Sequence, residues 1–352
     1  MDQLKDFLSL IGQFIRTKKL ATVKMLAIYM FCTIVFAFVL FPFGDLSNFV
    51  TSEVSKATNN SIYLTFSDLN VGIFPSLKLE VREAKLDTAT FPRIEVSSLS
   101  LRPSFLDLIG SAFSFSNINH PDKEKRVDPL SLVPGVNLDA EGLFNGELSL
   151  QLRPEDRGRF LHKLEVTIEG MDLANLNKNK LVPVKIKGLV NANINGIFDL
   201  KFKDQPEGEF SLTASNIEID KFSIPLQDFG ALPLPNLKFQ KLALSGRLSD
   251  KNLIVNNLEL GSGKDDFLVA LKGQISMALK QSRRGIDIDW GIFEFQTLLD
   301  VNKKLMNDLY FLNFLEDYRI ERKSGYQSYG IRGSGKDFYG MPNMRKITTL
   351  TN

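Results

Sequence analysis

Cysteine and histidine are nearly missing: the chain has one Cys and two His in 352 residues. A zinc centre built from those residues and a disulfide framework are both out of reach of a single chain. Neither sign of charge dominates, because 43 Lys and Arg stand against 41 Asp and Glu, a formal charge of +2. Neutralising phosphates takes a concentrated basic surface, so this balance argues against a nucleic-acid partner. A disordered acidic or basic chain is excluded too, since 43% of the residues are hydrophobic. What is plentiful is Phe, at 28, and Gly, at 24, beside a single Trp. That is apolar bulk with many tight turns, in a length that allows two ordinary domains or one large β-rich unit.

The one long uncharged run decides the expected compartment. Met25 to Phe43 reads MLAIYMFCTIVFAFVLFPF, nineteen residues without a charge. As a helix it would cover roughly 28 Å, close to the hydrocarbon thickness of a bilayer. Lys5, Arg16, Lys18, Lys19 and Lys24 precede it, which places residues 1–24 in the cytoplasm and residues 44–352 across the membrane. The run ends in Phe41-Pro42-Phe43-Gly44-Asp45, with no small-x-small cleavage site, so an uncleaved single-pass anchor is expected. Cys32 lies inside it and reads as a small apolar residue.

Beyond residue 60 the dominant period is two. Lys163 to Glu169 alternates polar and apolar without error, as do Phe144 to Leu152 and Phe267 to Leu279, the last interrupted by Gly273. The longest run is Val184 to Phe202, whose even positions include Val184, Ile186, Val190, Ile194, Phe198, Leu200 and Phe202. These seven form the candidate apolar face, lining a groove or a core, while Lys185, Lys187, Asn191 and Asp199 are expected to meet water. Asn195-Gly196 inside the run is a strong hairpin signal. A two-residue loop there would pair Ala192 with Asp199 and mix the faces, so an unbroken or bulged strand is expected instead.

Few segments read as helical. Asp300 to Glu316 carries Val301, Leu305, Leu309 and Leu312 at helical spacing, with Asp300 as a plausible N-cap. Pro103 to Ile109 would make one short turn, and residues 116–135 read as a charged, proline-rich loop. Pro225, Pro233 and Pro235 mark a sub-break between two β blocks, near 225–236. Connections are too short for helical crossovers, and alternating units recur near residues 164–173, 209–219 and 242–260. The expected fold is therefore mainly β, with a largely antiparallel sheet extended by repeating hairpins.

Catalytic constellations are absent. Gly330 to Asp337 approaches a P-loop, but Asp337 stands where Ser or Thr must hold magnesium, and the segment reads as a glycine-rich strand. Asp287-x-Asp289 alternates with Ile286, Ile288 and Trp290 and reads as the wet face of a strand. His120 and His162 lack a Ser-Asp or Cys context, and Gly261 to Asp266 reads as a link between strands. No enzyme, cofactor or metal is expected.

Val71-Gly-Ile-Phe-Pro75, followed by Leu79, Val81, Ala84 and Leu86, then Pro92 to Leu101 and Leu106 to Gly110, resembles the opening of AsmA-like inner-membrane proteins. Leu237 to Gly246, Leu258 to Gly261, Leu271 to Ile275 and Tyr329 to Gly333 are similar to the type II secretion system protein N (GspN) family. The resemblance covers about residues 25–345 through loose glycine and apolar spacings. It implies a bacterial inner-membrane protein with a periplasmic β domain, a non-enzymatic component of a type II secretion system. Its partners would be the inner membrane and other secretion-system or envelope proteins. The AsmA-like relatives imply the alternative: an elongated β groove that binds or transfers phospholipid acyl chains between membranes.

Overall fold

The computed structural model describes residues 25, 28–30, 32–33, 36, 46–58, 61–72, 77–88, 93–104, 128, 133–156, 160–178, 184–201, 203–226, 230–282, 285–336 and 342–351. The chain divides into two units, residues 1–49 and residues 50–352. Of the expected anchor, Met25, Ile28, Tyr29, Met30, Cys32, Thr33 and Phe36 are described, all helical and exposed. Among the described residues no helix is long and apolar enough to cross a membrane. Residues 1–24, the turn expected at 105–109 and most of the 116–135 loop lie outside the described residues.

The second unit is built on one antiparallel sheet of sixteen strands. In chain order these begin with β1 (Ile62–Thr65), β2 (Asp68–Gly72), β3 (Lys78–Thr88), β4 (Ile94–Pro103) and β5 (Val136–Leu143). The middle holds β6 (Gly146–Asp156), β7 (Leu161–Asp172), β8 (Ile186–Asp199) and β9 (Glu207–Ile219). After a separate hairpin, β10 (Phe222–Leu226) with β11 (Gly230–Leu234), come β12 (Leu237–Ser249), β13 (Asn252–Leu260), β14 (Phe267–Ser282) and β15 (Gly285–Asn302). β16 (Arg319–Ile320), β17 (Tyr326–Gly335) and β18 (Asn343–Lys346) complete it. From β3 to β15 the spatial order follows the chain, skipping only the hairpin; most strands return through a short turn beside their predecessor, while the longer segments 104–135 and 173–185 join β4 to β5 and β7 to β8. β1 and β2 share one edge of β3, and β16 and β18 share one edge of β17. The two ends do not pair, so the sheet is not a closed barrel.

β8 runs unbroken through Asn195-Gly196. Pro225 and Pro233 lie in the β10–β11 hairpin, and β9 pairs directly with β12 across it, so the prolines interrupt the chain but not the sheet. The helix expected at 300–316 is corrected. Asp300 to Asn302 close β15, and short 3-10 turns follow at Leu305–Asn307 and Tyr310–Tyr318. Val301, Leu309 and Leu312 are nevertheless buried together with Leu299 and Tyr329. The apolar spacing marked core positions correctly, but strand pairing with β17 claims the first of them. Asp300 caps nothing: it is 4% exposed, and its Oδ2 accepts a 2.8 Å bond from Arg322.

Helix α1 (Leu46–Ala57) sets Val50 and Val54 against Leu64, Val81, Ala84, Val96 and Ala140. Thr58 closes it, its backbone N–H and its hydroxyl both donating to the Val54 carbonyl, at 3.1 and 2.8 Å. A third buried group, Ala214, Ile217 and Phe239, joins β9 to β12. Fully burying a side chain such as Leu309 stabilises by about 1.5–3 kcal/mol. These three small clusters hold most of the fully buried apolar residues, which is little for so large a sheet.

Candidate functional site

Antiparallel pairing puts directly opposite residues on the same face, so the register can be followed across the whole sheet. One such path starts with Val71, Leu79, Leu101, Leu138, Leu150 and Val166 on β2 to β7. It continues through Ile194 on β8 and Phe210 on β9. Gly246, Val255, Gly273, Phe295, Gly333 and Met344 then carry it across β12 to β18. Fourteen strands contribute, and no member is polar.

The rows on either side repeat the pattern. One runs from Leu69 and Val81 through Ile168, Ala192 and Leu212 to Leu271, Thr297 and Ile331. The other runs from Pro103 and Val136 through Leu164, Gly196 and Gly208 to Ile275 and Phe293. Lys346, at the far end, is the one charged member of the three. On the opposite face Asn70, Glu80, Ser100, Asp139, Ser149, Thr167, Asn193, Ser211, Ser245 and Asn257 form an equally continuous polar row. Ser149 donates to Asp139 at 2.8 Å, and Arg102 and Lys78 pair with Asp139 and Glu80.

The polar face meets water at no cost, whereas the apolar face needs a cover. Three rows of about a dozen positions, at ~4.8 Å between strands and ~6.7 Å per two-residue repeat, outline about 1,200 Å². The largest apolar patch on a typical monomer is about 300–600 Å². Cover is local among the described residues: α1 serves the first strands, and Leu305, Leu309, Leu312 and Leu315 serve β15 and β17. Between them the central row is only half-buried, and Ile194 is 42% exposed.

Glycine and phenylalanine shape the later part of this row. A Cβ on Gly246 would lie 2.5 Å from Cζ of Phe210, and one on Gly333 would lie 2.5 Å from Cε1 of Phe295. Each ring therefore lies along the sheet, over a neighbouring strand that has no side chain to meet it. Phe295 also stacks on Phe293, with ring centroids 6.1 Å apart and planes 8° apart.

Of the seven candidate residues read from the sequence, Val190, Ile194 and Phe198 stand on this face, in alternate rows of β8 with Ala192 and Gly196 between them. Ile186 opens the strand beside Ile219, displaced by a bulge at Gly188, and joins the third cluster with Val190. Val184 and Leu200 are half-buried just outside the strand, and Phe202 lies outside the described residues. Lys185, Lys187 and Asn191 are exposed, but the expectation for Asp199 is corrected: it is 3% exposed. Its carboxylate accepts the backbone N–H of Lys201 at 2.8 Å, of Lys203 at 2.8 Å and of Asp204 at 3.3 Å, pinning the turn after β8. Burial pushes its pKa up, yet these three donors and the nearby Lys203 outweigh that and hold it below the usual carboxylate range.

His162 is fully buried at the end of the same face, its ring centroid 6.3 Å from that of Phe198. Its Nδ1 lies 3.2 Å from the Phe160 carbonyl oxygen, an acceptor, so Nδ1 carries the proton. Asp265 is 8% exposed and accepts the N–H groups of Ser262 and Gln240, closing the Gly261–Asp266 link. Gly330 to Gly335 lies inside β17. Among the described residues no group of three or more His, Cys, Asp or Glu is arranged to hold a metal ion. His120 lies outside them.

Sequence reasoning located one strand of this face and missed its extent. The alternation of each strand is visible alone, but the alignment of thirteen strand pairings into one row depends on bulges at Ile168/Met171, Lys187/Leu189, Val255/Leu258 and Ile275/Met277. Comparison with protein-family models, with curated proteins and with solved structures finds no match.

Proposed function

We propose that this protein binds the acyl chains of lipids on the apolar face of its sheet, as a lipid-binding or lipid-transfer groove that makes and breaks no bonds. The observation that carries the reading is the uncharged central row, which crosses fourteen strands while remaining only half-buried. Water is a poor solvent for a face of that size, and acyl chains are a cover that needs no interdigitating knobs.

The proposed setting comes from the sequence. Met25 to Phe43 would anchor the chain in a bacterial inner membrane, with the sheet on the periplasmic side. Membership of a type II secretion apparatus, beside other envelope proteins, is proposed on the GspN-like stretches alone. Those stretches fall on β12, the end of β13, β14 and β17, the part of the sheet that carries the glycine–phenylalanine pairs.

A photo-crosslinking residue placed at Ile194, and in a second strain at Asn193, tests the lipid reading in the intact cell. The two positions are adjacent in sequence and on opposite faces. Lipid adducts at 194 and none at 193 are expected. Equal adducts at both positions, or none at 194, would overturn acyl-chain binding on this face.

A further inference from the structure

β14 and β15 extend past their neighbours as a two-stranded arm. Met277 to Ser282 pairs with Gly285 to Trp290, beyond Ser276, where pairing with β13 ends, and beyond Phe293, where pairing with β17 ends. Each outer side of such an arm is a row of backbone donors and acceptors that the pairing of β14 with β15 does not use.

The inner edge is capped. The Gln205 side-chain amide donates to the Leu279 carbonyl at 3.0 Å and accepts the Leu279 N–H at 2.7 Å. These bonds also fix the geometry of the outer edge. Because Leu279 turns its N–H and C=O away from β15, its pair with Ile288 is of the non-hydrogen-bonded kind. Ile288 therefore turns its own N–H and C=O outward, and among the described residues no strand pairs with Asp287–Asp289 on that side.

The side chains state what fits. Ile288 is 49% exposed on the apolar face, while Asp287 and Asp289 are exposed on the other. Lys280 holds Asp289 at 2.8 Å, and Asp287 has no ion-pair partner among the described residues. A second copy is a poor occupant. Antiparallel pairing centred on Ile288 sets Asp287 against Asp289 twice, and pairing centred on Asp289 sets it against itself. Like charges directly opposite are destabilising.

We propose that the outer edge of this arm, centred on Ile288, binds an extended segment of another protein in which Lys or Arg alternates with apolar residues. The added strand satisfies the outward N–H and C=O of Ile288, sets an apolar side chain beside it, and sets basic side chains opposite Asp287 and Asp289. The proposal does not depend on what covers the apolar face.

The test uses the full chain in lipid nanodiscs and a short fluorescent peptide of alternating lysine and valine. Saturable binding is expected, and it should vanish when the peptide is N-methylated along its hydrogen-bonding edge. Asp287→Lys with Asp289→Lys should weaken that peptide about tenfold and turn the preference toward a glutamate–valine peptide. Ile288→Pro removes only an outward N–H, a substitution an edge strand tolerates, and should abolish binding while the fold persists. No binding, equal binding of the N-methylated peptide, an unchanged charge preference or full binding to Ile288→Pro would each overturn the proposal.

Discussion

Replacing Ile194 with Asp separates an open apolar face from a covered core by the size of the damage. Ile194 stands between Val166 and Phe210, and neither flanking row of the face holds a charge near it. It is 42% exposed, so a little over half of its surface is out of water. Complete burial of such a side chain stabilises by about 1.5–3 kcal/mol, which makes the share at risk here about 1–2 kcal/mol. Aspartate's poor fit to a strand adds up to ~1 kcal/mol. On an open face the new carboxylate stays wet, so the total is about 1–3 kcal/mol, which a domain stable by about 5–15 kcal/mol survives. Under a second protein layer the same carboxylate would be trapped without a partner, at a cost above ~4 kcal/mol.

Urea unfolding of the full chain in nanodiscs, followed by the emission of Trp290, the only tryptophan, measures that cost. Asn193→Asp is the control: it stands between Thr167 and Ser211 on the polar face and should stay within about 0.5 kcal/mol of the parent. Binding of a fluorescent fatty acid should fall about tenfold or more in Ile194→Asp and hold in Asn193→Asp, because a carboxylate among acyl chains costs several kcal/mol. An unfolding loss above ~4 kcal/mol for Ile194→Asp would refute the open face. Equal fatty-acid binding by the two variants would refute the acyl-chain site.

Further outcomes follow from other parts of the sheet. Gly333→Ala should cost about 1–3 kcal/mol by pushing the Phe295 ring off its seat, and much less in a Phe295→Ala background; additive losses in that double-mutant cycle would refute the seat. Asp199 has a folded pKa below its unfolded one, so its stabilisation is present above the unfolded value, ~3.9, and is lost as pH falls through the lower folded value. Acid unfolding of Asp199→Asn should lack that limb, and an unchanged acid profile would count against the three backbone donors. A reporter active only outside the cytoplasm, fused at Asn352, should give signal, whereas activity of a cytoplasm-only reporter there would end the proposed topology. Intact mass of the membrane-extracted protein should retain Met25 to Phe43, and a mature chain beginning near residue 45 would show a cleaved signal instead.

Much of the β architecture was legible because strand alternation is a local property. Turns were less so. The strongest hairpin signal, Asn195-Gly196, lies mid-strand, and the parity of its flanks said as much. True two-residue turns occur at Phe144-Asn145 and Asp250-Lys251, all four residues at positive φ without a glycine among them. There the register of long flanking strands outweighs the cost of left-handed backbone at a side-chain-bearing residue. Helix α1 escaped notice because its buried stripe is only Val50 and Val54, too short for a periodic pattern. Asp199 was misplaced for a different reason. Alternation assigns a residue to a face but does not tell that a following turn folds three N–H groups onto its carboxylate.

The two halves of the central row differ in a way that bears on what covers them. From β2 to β7 every position is Leu or Val, whose branched side chains stand up from the sheet. From β12 to β17 the row alternates Gly and larger residues, and Phe210 and Phe295 lie across Gly246 and Gly333. A ring laid over a glycine shields the backbone that the missing side chain would leave open, so the face stays apolar while its relief becomes low. A second protein layer holds by interdigitation at crystal-like density and needs raised side chains to grip. Low relief favours a cover that adapts its own shape, and hydrocarbon chains do so. The later strands, where the GspN-like stretches also fall, are therefore the part of the face best suited to a mobile acyl ligand, and the leucine-lined strands the part better able to hold one in place.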